Sequence, residues 1–111
     1  MALLTENRST GTRFIKRGRL LEPVTSADDT GWHRFGGIYP ISITVGGSAS
    51  TITWRVVVTN ALDSPTGNNE SVWGGTMSGK GSVEVTVPYE FIKVILDAVS
   101  GGNAFVDAWA G

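Results

Sequence analysis

From Ile38 onward, apolar residues recur at every second position in short runs, separated by clusters of Gly, Ser, Asn and Pro. A period of two puts alternate side chains on opposite faces of an extended chain, so the pattern predicts strands joined by turns. The clearest run is Thr51 to Asn60, where Ile52, Trp54, Val56 and Val58 share one face while Thr51, Thr53, Arg55, Val57 and Thr59 share the other. Ile41, Ile43 and Val45 repeat the pattern before Gly46-Gly47-Ser48. Val83, Val85 and Val87 repeat it before Pro88, whose missing N–H ends a ladder.

The segment Phe91 to Val99 predicts a further strand with Ile92, Val94, Leu96 and Ala98 inward and Lys93 and Asp97 outward. A helix competes there, but dense β-branching favours the strand. Ser100-Gly101-Gly102-Asn103 then reads as a hairpin loop into a last strand, Ala104 to Trp109. Glu70 to Trp73 predicts another strand, whereas Thr12 to Lys16 and Arg19 to Glu22 are compatible with strands or with an arm. The total is about seven or eight strands with turns roughly every 8 to 12 residues, the spacing of a β-sandwich or jelly roll. The fold class expected is therefore all-β: a single antiparallel sandwich, jelly-roll-like, with an extended basic N-terminal arm. Residues 1–30 are assigned to the arm and first short strands and 31–111 to the body, in one domain overall.

Composition narrows the picture. The chain has 111 residues, enough for one core, and 41% hydrophobic against 17% charged residues, which is a globular balance. It has no cysteine, so disulfides, thiolate nucleophiles and cysteine metal sites are excluded. No apolar run is long enough for a spanning helix, and the first residues lack the pattern of a secretion signal, so neither membrane insertion nor export is expected. The formal net charge is only -1, but it is unevenly spread. Residues 1–20 carry five cations (Arg8, Arg13, Lys16, Arg17, Arg19) against Glu6, while the other residues carry four cations against nine anions. A basic segment thus precedes an acidic body. With Phe14 its only aromatic, that segment suits an acidic protein neighbour better than nucleic acid, and direct nucleic-acid binding is not expected.

Candidate chemistry is sparse. His33 is the only histidine and sits in Gly31-Trp32-His33-Arg34-Phe35, with no Gly-x-Ser-x-Gly elbow in the chain, so packing, a hydrogen bond or a partner contact is expected of it rather than catalysis. Asp28, Asp29 and His33, or Asp63, Asn68, Asn69 and Glu70, are oxygen-rich enough to suggest a hard metal. Neither set matches a calcium loop, and solvated turns are expected. The carboxylates are scattered, which speaks against a glycosidase pair. No enzyme activity, cofactor or metal is expected. Of the four tryptophans, Trp54 falls at an inward position, and Trp109 either closes the sheet or meets a neighbouring chain. Trp32 and Trp73 flank glycines and divide evenly between core and contact.

The order from Thr51 is a strand bearing Trp54, a polar loop, Ser71-Val-Trp-Gly-Gly75, a Val-rich strand, then Pro88-Tyr-Glu-Phe-Ile-Lys-Val-Ile-Leu-Asp-Ala-Val-Ser-Gly-Gly-Asn103 and a closing Phe105-Val-Asp-Ala-Trp109. Over about the last 60 residues this order resembles small phage virion proteins. The length, strand count and lack of cysteine resemble the cement or stapling proteins that clamp capsid subunits of short-tailed double-stranded DNA phages. The resemblance implies a non-enzymatic virion structural protein on the outer surface of the capsid, binding across major capsid protein subunits and stabilising the shell, as a homodimer. Arg13, Phe14, Lys16, Arg17, Trp32 and Trp73 are the side-chain anchors expected for that partner. The alternative is a tail-associated β-sandwich module that binds host carbohydrate or receptor, with Trp32, Trp73 and Tyr39 stacking on sugars.

Overall fold

A computed structural model describes residues 5–8, 14–60 and 70–110, with side chains from residue 18 onward in those ranges. The strands are β1 (Thr5–Arg8), β2 (Phe14–Val24), β3 (Asp28–Asp29), β4 (His33–Arg34), β5 (Ile41–Gly46), β6 (Thr51–Thr59), β7 (Ser71–Ser78), β8 (Gly81–Val85), β9 (Phe91–Ser100) and β10 (Ala104–Ala110). Among the described residues there is no helix. One sheet has the order β1-β2-β10-β5-β8, the other β3-β9-β6-β7 with β4 also on β9, and every pairing is antiparallel.

The pairings are nested. β2 pairs with β10, β3 and β4 with β9, β5 with β8, and β6 with β7, as in one long hairpin folded over on itself. That wrapping is the jelly roll expected from strand number and spacing. β1 adds a further strand outside β2.

The inward faces meet as the period-two pattern requires. Ile41, Ile43, Val45 and Val106 from one sheet pack against Ile52, Trp54, Val56, Ile92, Val94 and Leu96 from the other, all buried. Trp54 is 1% exposed and its indole N–H donates to the carbonyl of Gly79 at 2.8 Å, so the one polar atom of this large core side chain is satisfied.

Four sequence expectations need correction. Ser100 to Asn103 is no hairpin loop, because β9 and β10 lie in different sheets and the loop carries the chain from one layer to the other. It runs instead against the β5–β6 crossover: Ala49 N donates to Asn103 O (2.9 Å), Ser50 N to Ser100 O (3.0 Å) and Ser48 N to Asn103 Oδ1 (3.1 Å). Second, Ala98 is exposed and Val99 buried. Thr53 faces Ala98 while Trp54 faces Leu96, so Asp97 is an extra residue and the bulge reverses the in-out phase beyond it. Third, Val87 is 38% exposed, since the β8 ladder ends at Val85 before Pro88.

The fourth concerns the arm. From Phe14 onward the chain is an 11-residue strand paired with β10, not a free segment. Two extra β2 residues between Arg19 and Val24 relative to β10 make bulges there, which tolerate Pro23 and turn Leu20 fully into the core. Removing residues 1–20 is therefore expected to destabilise the body and not merely to release an arm. The truncated chain should lose its near-ultraviolet circular dichroism and cooperative melting, whereas removal of residues 1–8 should leave both in place.

Candidate functional site

The outer face of the β2-β10-β5 sheet carries a group of chemically varied, at least partly exposed side chains. On β10, Ala104, Val106, Ala108 and Ala110 point into the core, so Phe105, Asp107 and Trp109 stand on the outside. The ladder fixes their neighbours: Trp109 lies between Arg17 and Ser42, Asp107 between Arg19 and Thr44, and Phe105 beside Gly46. Cross-strand neighbours at this spacing are within side-chain reach.

Arg19 grips Asp107 through two bonds, Nε to Oδ1 at 2.9 Å and Nη2 to Oδ2 at 3.4 Å, and its guanidinium lies 4.3 Å from the centre of the Phe105 ring. A planar guanidinium suits both contacts, the bidentate pair and the aromatic face. The hydrogen bond to Asp107 raises the Arg19 pKa above its ordinary value, against a smaller opposing effect of burial. Phe105 in turn lies across Gly46, where a Cβ would come within 2.7 Å of the ring. Gly46→Ala is therefore expected to tilt Phe105 and loosen Arg19. A stability loss of about 1–2 kcal/mol in urea unfolding, with a changed Arg19 Nε–H resonance, checks this.

Beside the ion pair, Gly18, Arg19, Ser42, Thr44, Asp107, Ala108 and Trp109 border a concavity of about 570 Å³. Thr44 and Ser82 share a hydroxyl hydrogen bond of 2.8 Å at its edge. The indole of Trp109 is 50% exposed. The face thus combines a half-exposed tryptophan beside Arg17 on the ladder, hydroxyls and the Arg19–Asp107 ion pair.

The anchors named from the sequence are not brought together. Arg13 lies outside the described residues, and Phe14, Lys16 and Arg17 are placed on β2 with side chains outside the described set. Trp73 sits on β7 and Trp32 just before β4, at opposite margins of the second sheet. Trp73 faces inward opposite Val56, donates its indole N–H to the carbonyl of Glu84 at 3.1 Å, and meets Tyr89 edge to face at 6.0 Å. It closes the gap between β7 and β8, one in each sheet. The bulged pair Gly74-Gly75, both with positive φ, lets Trp73 and Met77 face the same core. Trp32 is half-buried beneath Lys93, whose ammonium is 4.7 Å from its ring centre. Tyr39 is 54% exposed, on the loop that leads into β5.

His33 Nε2 meets the carbonyl oxygen of Thr30 at 3.1 Å, a hydrogen bond of the kind expected for it. Asp28 and Asp29 form the short strand β3 and not the expected turn, and their carboxylates accept bonds from the backbone N–H groups of Asp29 and Gly31. Asp63, Asn68 and Asn69 lie outside the described residues. Among the described residues no three His, Cys, Asp or Glu side chains converge as metal ligands, and no helix is long and apolar enough to cross a membrane. The body's cations are mostly engaged: Arg34 pairs with Glu90 and Arg55 with Asp97, each at 3.1 Å, and Lys93 covers Trp32.

No protein-family model matches the chain. No curated protein sequence matches it either. The architecture is similar to a solved structure, that of the SPBc2 prophage-derived protein YomS, with a TM-score of 0.60 over 94% of this chain and 98% of that one. The two sequences are 13% identical, so the likeness is one of fold, and it extends over the whole length of both chains.

Proposed function

We propose that this chain is a non-catalytic structural protein of a phage particle, docked across major capsid protein subunits on the outer head surface as a homodimer and stabilising the shell. The observation that carries the reading is the β1–β2 hairpin. Among the described residues β1 is the margin of its sheet, and the hairpin holds most of the cations that precede the acidic body. A marginal strand offers a row of backbone donors and acceptors to a neighbour's strand, and the cations steer it to an acidic seam. The whole-length likeness to a prophage-derived protein supports the phage setting. A protein that binds only the assembled shell shifts assembly toward it, and many symmetry-related copies add up.

Purified protein mixed with undecorated heads is expected to pellet with them saturably and to raise their disruption temperature. Failure to pellet would overturn the capsid assignment. Exchange of Arg13, Lys16 and Arg17 for serine is expected to weaken binding about tenfold at low salt, with little further loss at high salt. A second reading, a tail-associated module for host carbohydrate, draws on one observation, the half-exposed Trp109 on the outer sheet face.

A further inference from the structure

We infer that the outer face of the β1-β2-β10-β5-β8 sheet is a self-association surface, covered by the same face of a second copy about a two-fold axis that runs along the strands. The inference rests on the homodimer of the reading above, and gives it a surface, an axis and residues.

The ladders order this face into rows that cross the sheet. Glu84 of β8 stands beside Ser42 of β5, Ser42 beside Trp109 of β10, and Trp109 beside Arg17 of β2. The next row runs from Ser82 through Thr44 and Asp107 to Arg19. Val83 and Val85 take the inward positions of β8, so Glu84 is an outward, exposed carboxylate. Among the described residues no cation pairs with it. At the other end of the rows Asp107 offsets Arg19, and Arg17 is a further cation on the same strand. The face is therefore acidic along β8 and basic along β2.

Charge selects between the two symmetric ways of laying this face on itself. A two-fold axis across the strands sets β2 over β2 and β8 over β8, which brings like charges together. An axis along the strands, between β5 and β10, sets β8 over the partner's β2 and β5 over the partner's β10. Glu84 then meets the partner's Arg17, and two-fold symmetry makes the contact twice. Thr44 meets the partner's Asp107, hydroxyl against carboxylate. Ser42, a small residue at the edge of the concavity of about 570 Å³, meets the partner's Trp109, the bulkiest side chain of the face. Trp109 is 50% exposed, and the fit uses its bulk rather than a vacant ring face. Tryptophan and arginine near the centre of a patch are the side chains that contribute most where two proteins meet. Sheets packed face to face cross at about 30°, which keeps the central rows opposed. The same axis leaves β1 one strand beyond the partner's β8, so each copy keeps its docking margin open at opposite ends of the dimer.

The test is sedimentation velocity of the full chain at low salt, where a particle of twice the 11.7 kDa chain mass is expected. Glu84→Arg and Arg17→Glu should each dimerise about tenfold more weakly or worse, since each sets like charges across the axis. An equimolar mixture of the two variants should dimerise as the parent does, because every new charge then faces its opposite, and this rescue also shows that both variants are folded. A monomeric parent would overturn the inference. So would variants that dimerise alone as the parent does, or a mixture that stays monomeric. Pelleting of the parent with undecorated heads, measured in parallel, reads the capsid assignment separately. A monomer that pellets overturns the face and keeps that assignment, whereas a dimer that obeys the charge exchange without pelleting keeps the face and overturns the assignment.

Discussion

Replacing Trp54 with alanine is expected to remove about 3–5 kcal/mol of stability, a large share of what a domain of this size possesses. The side chain is 1% exposed at the centre of the second sheet and packs against the opposing layer, so truncation leaves a cavity that rigid neighbouring strands cannot fill. It is also a polar tie. The indole N–H bonds the Gly79 carbonyl, while Gly79 N–H donates to Ile52 O at 2.7 Å, so Trp54 fastens the β7–β8 turn to the middle of β6. Trp54→Phe separates the two effects. It keeps most of the apolar burial, drops the hydrogen bond and loses some volume, and should cost about 1–2 kcal/mol, because the exposed turn lets water reach Gly79. Urea unfolding of the parent and both variants checks the order; equal midpoints for Phe and Ala would mean that the bond, not the packing, dominates.

The same tryptophan shows what the sequence could reveal. Trp54 stands in a run where one face is wholly apolar and the other mixes Thr and Arg, so the period decides its side. On β10 the pattern decides less. Phe105, Asp107 and Trp109 alternate with Val106, Ala108 and Ala110, and the larger aromatics are the outward set. The signal that could have placed them is the aspartate between the two aromatics together with the unbroken small inward series. The partner strands, which sequence order does not reveal, then bring Arg19 and Thr44 beside Asp107.

The pattern divides Trp73 evenly between core and contact, and the structure decides for the core: Gly74 and Gly75 form a bulge within β7 that keeps the indole inward. Bulges also explain Ala98 and the burial of Leu20, since each extra residue resets the alternation on which inward assignments rest. Legibility thus stopped at register. Strand spacing and turn chemistry point to the class, a jelly-roll-like sandwich, but not to which strands pair; the nested pairing is seen only in the structure.

Alanine at Gly102 is expected to lower stability by about 3 kcal/mol or more, the second large effect, and its cause lies in backbone rather than side chains. The β9–β10 and β5–β6 crossovers pass so closely that a Cβ on Gly102 would approach Ser48 C to 2.6 Å and Ala49 N to 2.7 Å. The φ of 148° at this residue is itself a region that other residues rarely adopt. Separating the loops would stretch the bonds from Ala49 N to Asn103 O and from Ser48 N to Asn103 Oδ1, so the overlap has no inexpensive relief. Gly47 faces the same crossing from the other strand, with its added Cβ against Asn103 O and Ala104 Cα. Because either substitution forces the same two loops apart, Gly47→Ala and Gly102→Ala combined should cost less than their separate losses added together. Gly81→Ala supplies the contrast: nothing lies within 4 Å of its Cβ, its φ is ordinary and it sits in β8, so stability should stay within about 0.5 kcal/mol of the parent or rise. Denaturant midpoints for the four variants test the argument. A Gly102→Ala protein as stable as Gly81→Ala would mean that the crossover yields freely, and that these loops do not lock the layers together at this end of the sandwich.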